Sequence, residues 1–177
     1  GGFDEFHGET GIDTLSADVG LKSIGITAID GVEAISWDGT RLLTLNGSAG
    51  DNNFDFSAVT MTGIAAINAG DGNDTILGSA IKDVIDGGTG TDTLSGGLGD
   101  DVITGNLGID LLSGGSGNDF FSDTAAGLNG DHITDFTLGD TIRIINAKDY
   151  TKVGLSYVDD GTGTGGNLHI TGVSGLA

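Results

Sequence analysis

The chain has 177 residues, with 35 glycines, no proline and no cysteine. Six basic against 26 acidic residues leave a net charge of −20, which repels nucleic acid and anionic membrane surfaces and excludes both as partners in this reading. The lack of cysteine removes disulfides, thiolate metal sites and cysteine nucleophiles, and no stretch reaches transmembrane length or opens the chain as a signal peptide.

Residues 1–16, GGFDEFHGETGIDTLS, place Asp4 and Asp13 nine apart, followed two residues later by Phe6 and Leu15. This spacing predicts that the chain starts inside a repeat and is a piece of a longer protein. From 17 to 68 the spacing loosens. GVEAI (31–35) echoes GIAAI (63–67), and GSAGDNNFD (47–55) reads as a degenerate row, with Asn52 where an aspartate is expected and Phe54 pointing inward. Residues 1–68 are therefore read as irregular parallel β-helix coils continuous with the regular rows from Ala69 onward. An independent small β domain is the competing reading. Asp13 and Asn52 are weak candidates for metal ligands, because their spacing is irregular.

From Ala69 to Ser122 the chain falls into nines: AGDGNDTIL, GSAIKDVID, GGTGTDTLS, GGLGDDVIT, GNLGIDLLS and GGSGNDFFS. Position six is always aspartate: Asp74, Asp83, Asp92, Asp101, Asp110 and Asp119. Position eight is always large and apolar: Ile76, Ile85, Leu94, Ile103, Leu112 and Phe121. Position four is glycine in every row but the second, where Ile81 stands. A glycine-rich linker with incidental acids would not lock three columns.

The glycines allow tight turns and close backbone approach. The remaining residues of each row, such as Thr93-Leu94-Ser95, form a short strand whose middle side chain points inward. Two rows close a flattened coil, and coils stack as parallel strands. Stacking puts Asp74, Asp92 and Asp110 on one edge and Asp83, Asp101 and Asp119 on the other, roughly 4.8 Å apart. Like charges at that separation cost about 1 kcal/mol or more per pair. A hard divalent cation between them removes the cost, and Ca²⁺ accepts both carboxylate and carbonyl oxygens.

The rows resemble the nonapeptide G-G-x-G-x-D-x-U-x of the RTX (repeats-in-toxin), hemolysin-type calcium-binding proteins. The resemblance implies an all-β fold, a right-handed parallel β-roll holding Ca²⁺ between loops of alternate repeats. It also implies a bacterial protein exported through type I secretion machinery, unfolded in the calcium-poor cytosol and folding outside the cell or at its surface. Carried onto this chain, it nominates the six position-six aspartates as metal ligands. With them come the loop carbonyls of Gly70, Gly72, Gly88, Gly90, Gly97, Gly99, Gly108, Gly115 and Gly117. Four complete sites are expected, between residues 74/92, 92/110, 83/101 and 101/119. The second row departs from the pattern at Ser79, Ile81 and Lys82, which sets the 83/101 pair apart. Asn106 in a glycine place is a milder departure, since asparagine tolerates left-handed backbone.

After Ser122 the nines stop, and residues 123–177 are read as a C-terminal β segment that caps the roll. DHITDFTLGDTIRIINA (131–147) alternates apolar and polar residues around a Gly-Asp turn, which predicts a hairpin. Asp131 and Asp135 are read as solvated surface acids, with closure of a last metal site as the alternative. GTGTGG (161–166) reads as a flexible turn before the strand NLHIT.

Neither an HExxH zinc motif nor a GxSxG elbow occurs, and His7, His132 and His169 lie far apart. Paired acids such as Asp100-Asp101 and Asp159-Asp160 stem from the repeat and the overall acidity, so no enzyme is expected. The expected function is a calcium-dependent folding module of a larger secreted bacterial protein, with sites of roughly 10⁻⁴ to 10⁻³ M affinity. Two alternatives stand beside it. One is an adhesin or carbohydrate-binding module using a surface such as that around Trp37, with a cell-surface or polysaccharide ligand. The other is the tail of a secreted protease, lipase or polysaccharide-modifying enzyme.

Overall fold

In a computed structural model, the described residues are 3–7, 14–17, 23–30, 32, 34–37, 42–124, 126–145, 154–159 and 165–171. Among them are strands and turns and no helix. The N-terminal strands are β1 (Phe3–His7), β2 (Thr14–Ala17), β3 (Ser23–Asp30), β4 (Ala34–Trp37), β5 (Leu43–Asn46), β6 (Asn53–Asp55), β7 (Thr60–Thr62) and β8 (Ile64–Asp71). The nonads supply β9 (Thr75–Leu77), β10 (Val84–Thr89), β11 (Thr93–Leu98), β12 (Val102–Leu107), β13 (Leu111–Ser116) and β14 (Phe120–Thr124). Beyond them lie β15 (His132–Thr137), β16 (Thr141–Ile145), β17 (Gly154–Asp159) and β18 (Gly165–Thr171).

Alternate strands pair in parallel. β9, β11, β13 and β15 build one face, and β8, β10, β12, β14 and β16 the other. The register is that of an 18-residue coil: Leu94 lies beside Ile76 and Leu112, and Ile85 beside Ile67 and Ile103. Position eight therefore forms a continuous file between the faces. Ile76, Ile85, Leu94, Ile103, Leu112 and Phe121 are all buried, with Phe54 below them and Ile133 above. Each coil contributes only two such side chains, so stability comes from stacking coils rather than from any one of them.

The N-terminal coils are wider. β3 is long enough to serve both faces, pairing through Ser23–Gly25 with β5 and through Ala28–Ile29 with β6. A second, three-stranded sheet, β2-β4-β7, stands apart from the main one. β5 then pairs with β8, and β6 with β9, so hydrogen-bonded pairing passes without a break into the nonads. Asp13, and the side chains of Asp4, Phe6, Trp37 and His169, lie outside the described residues.

The hairpin expected over 131–147 does not form. β15 stacks parallel on β13, and β16 parallel on β14. The Gly139-Asp140 turn joins the two faces of the roll as the nonad turns do. Alternation of polar and apolar residues is common to a hairpin strand and a roll strand, so the pattern alone does not distinguish them. The antiparallel strands come later: β17 pairs with β18, and β18 closes over β15. That pair covers an edge that would otherwise offer unpaired N–H and C=O groups. Of GTGTGG, only Gly165-Gly166 falls within the described residues, as the start of β18.

Candidate metal centre

Each position-six aspartate enters at the end of a glycine turn, just before its strand. Its backbone carbonyl accepts from the first strand residue of the next coil, as in Thr93 N–H to Asp74 O (2.8 Å) and Leu111 N–H to Asp92 O (2.8 Å). Its N–H donates to the side chain of the corresponding residue in that coil. On the first edge Asn52 N–H bonds Asp74 Oδ1 (2.7 Å), Asp74 N–H bonds Asp92 Oδ1 (2.8 Å) and Asp92 N–H bonds Asp110 Oδ1 (2.9 Å). On the second edge Asp83 N–H bonds Asp101 Oδ1 (2.8 Å) and Asp101 N–H bonds Asp119 Oδ1 (2.9 Å). All six nominated aspartates are thus brought into two files, as the nine-residue spacing required, and all six are buried.

In all but Asp83, the first of its file, one oxygen of the carboxylate is therefore used by the fold. The other is not. Oδ2 of Asp74, Asp92, Asp101, Asp110 and Asp119 is buried and has no hydrogen-bond partner among the described residues. A buried carboxylate oxygen without a partner is expensive. Burial, the largest cause, raises the Asp92 and Asp101 carboxyls to about 6, with the charges of their file neighbours adding to it and the N–H bonds opposing it. Burial likewise pushes Asp83, Asp110 and Asp119 upward.

Four of the five orphaned oxygens face glycine. A Cβ at Gly87 would come within 2.5 Å of Asp92 Oδ2, and a Cβ at Gly96, Gly105 or Gly114 would overlap Oδ2 of Asp101, Asp110 or Asp119. These position-one glycines are not among the nominated ligands. Their column is visible in the sequence, but there it signals only a turn. The nominated glycines line the same turns. Gly70, Gly88, Gly97 and Gly115 sit at strand ends with positive φ, and Gly72, Gly90, Gly99 and Gly117 at the turns beyond, also with positive φ. Turns of successive coils touch through backbone: a Cβ at Gly108 would strike the carbonyl of Gly90, and one at Gly90 that of Gly72. Asn106 holds φ 68°, the left-handed backbone its glycine place requires.

The second row is different in kind. Asp83 Oδ2 accepts from Ser79 N–H (2.6 Å) and Ser79 Oγ (2.8 Å), and so is not orphaned. Lys82 Nζ turns to Asp100 O (3.1 Å). Ser48 makes the same pair of bonds, at 3.0 Å each, to Asn52 Oδ1. The two GSA rows thus begin the two files alike. Shorter files run outside at position five on both edges, with Asn73 N–H to Asp51 Oδ1 (2.7 Å) and Thr91 N–H to Asn73 Oδ1 (2.9 Å) on one and Asn118 N–H to Asp100 Oδ1 (2.8 Å) on the other, all exposed.

The files also run on beyond the nonads. Asp110 N–H bonds Asp131 Oδ1 (2.9 Å) and Asp119 N–H bonds Asp140 Oδ1 (2.9 Å). Asp131 is fully buried, contrary to its reading as a surface acid. Asp135 accepts from Ser113 Oγ (2.6 Å), Gly114 N–H (2.9 Å) and Gly115 N–H (2.8 Å), bridging two coils. Asp131 and Asp140 stand nine apart with Ile133 and Ile142 two residues on, a signal hidden because Asp131 comes twelve residues after Asp119.

Among the described residues no three His, Cys, Asp or Glu side chains converge on one point. A cation here would thus take its remaining oxygens from backbone carbonyls, which suits a hard ion such as Ca²⁺. The buried, unpartnered Oδ2 atoms fit that group. Residues 68–103 and 95–122 match the family model described as RTX calcium-binding nonapeptide repeat (4 copies). Neither a curated protein nor a solved structure matches the chain. The segment 68–122, stacked as a parallel β-roll with its aspartates in file, is the part of the chain that matches RTX calcium-binding nonapeptide repeats.

Proposed function

We propose that this chain is a calcium-loaded β-roll module of a larger secreted bacterial protein, exported unfolded by type I secretion machinery and folding on Ca²⁺ outside the cell, without catalysis of its own. The observation that carries the reading is the set of buried carboxylate oxygens left without a partner on both edges. In the absence of cation they oppose folding. With Ca²⁺ bound, the same atoms tie one coil to the next, so binding energy becomes folding energy. The ligands are Asp74, Asp92, Asp101, Asp110 and Asp119 through Oδ2, Asp83 through what Ser79 leaves free, and carbonyls of the turn glycines. The net charge of −20 acts in the same direction, since cations relieve the self-repulsion of the compact state. No described helix is long and apolar enough to cross a membrane.

Weak sites, filled at extracellular but not at cytosolic calcium, would make export and folding mutually exclusive. Circular dichroism of the full chain during a calcium titration tests this. A β spectrum that grows in cooperatively with calcium is expected. A fully folded spectrum in excess chelator overturns the folding switch.

A further inference from the structure

The two files of position-six residues have four ends, and three of them are closed by the protein itself. At the start of the first edge the Asn52 amide takes the cation's place: Nδ2 donates to Gly50 O (2.5 Å) and Asp74 Oδ1 (2.9 Å), with Ser48 O and Ala69 O at 3.3 Å. At the start of the second edge Ser79 satisfies Asp83 Oδ2. At the end of that edge Asp140 Oδ2 accepts from Thr137 N–H (2.6 Å) and Thr137 Oγ1 (3.1 Å), the same clamp built from the other side.

The fourth end is Asp131. Its Oδ1 accepts the Asp110 N–H, as Oδ1 of Asp74, Asp92 and Asp110 accepts the N–H one coil below, but its Oδ2 has no partner among the described residues, and the residue is 0 % exposed. The turn before it is three residues longer than a nonad turn and packs Leu128 into the core, so water is kept from the carboxylate. Asp123, itself buried, adds a second acid at this end that belongs to no position-six file. Its oxygens accept from Asn106 N–H (2.6 Å) and Thr124 N–H (2.5 Å).

We propose that Asp131, with Asp110 one coil below, holds a further hard divalent cation of the calcium class, outside the nonapeptide array, which closes the open end of the first edge. The inference rests on the calcium-loading reading above and extends it to a segment that the repeat match does not reach. The neighbouring acids Asp110, Asp123 and Asp92 surround Asp131 with like charge that a cation would neutralise.

The test counts calcium. Calcium chloride is added to the chelated, full-length chain and to its Asp131→Asn variant, and bound ions per chain are read by native mass spectrometry. The variant is expected to carry one ion fewer and to keep the others. An equal count at equal affinity overturns the inference while leaving the module's calcium loading intact. A wild-type chain that takes up no calcium overturns the proposed function and this inference together. Should the variant fail to fold, the Asp131 side-chain carboxyl resonance of the wild type decides. Calcium is expected to shift it, and a resonance identical in chelator and in calcium overturns the site.

Discussion

The backbone N–H of Asp92 donates to Oδ1 of Asp110 across 2.9 Å, while Oδ2 of both carboxylates stays buried with no partner among the described residues. The hydrogen bond fixes the register between coils, and the orphaned oxygens set the dependence on cation.

Replacing Asp110 with asparagine separates these two roles. The amide keeps an oxygen for the Asp92 N–H but removes one charge from the file and one oxygen from the cation. Melting in chelator is expected to rise or hold, while the gain in stability from calcium falls by about 1–3 kcal/mol. Paired thermal melts with and without calcium chloride read both effects, and a variant whose calcium response matches wild type would remove Asp110 from the ligand set.

Without calcium, pH should act in an unusual direction. Asp92 and Asp101 sit near 6 and Asp131 near 7, above the ordinary carboxylate value of 3.8. The folded state therefore holds protons that the unfolded chain has released. Their contribution to stability is fully present below 3.8 and is lost as pH rises through about 6 and then about 7. Chelated protein is expected to melt lower at pH 7.5 than at pH 5. Calcium reverses the order, because its ligands must be ionised. Differential scanning calorimetry at the two pH values, in each condition, checks the sign.

Backbone contact between coils makes a sharp comparison possible among the turns. Gly90 has φ +132°, and a Cβ there would overlap the Gly72 carbonyl, whereas a Cβ at Gly50 meets nothing within 4 Å. Gly90→Ala is expected to cost about 1–3 kcal/mol or more, from left-handed strain and the clash. Gly50→Ala should stay within about 0.5 kcal/mol of wild type. Denaturant midpoints in saturating calcium measure both.

Asn52 supplies the inverse of the Asp110 substitution. Asn52→Asp removes the Nδ2 donor that bonds Asp74 Oδ1 and sets a second carboxylate beside it. Lower stability in chelator is expected, together with one more bound calcium per chain by native mass spectrometry. An unchanged ion count would show that Ser48 and its turn do not accept a cation.

A nine-residue period is enough to specify the roll because it couples two local facts, a tight glycine-rich turn and one inward side chain per strand. Asp74, Asp92 and Asp110 therefore read directly as one file, and Ile85 and Leu94 as core. The period is lost wherever a turn lengthens. Asp131 comes twelve residues after Asp119, so the continuation of the files is hidden, and the alternating strands beyond it resemble a hairpin. The difference between Asp83 and Asp92 is hidden for another reason. Both occupy position six, but a serine hydroxyl reaches one Oδ2 and only glycine faces the other. Which residues stack is set by periodicity along the chain. Which oxygens are left without a partner depends on the neighbouring coil and on the exclusion of water, and these exist only once the coils have closed on one another.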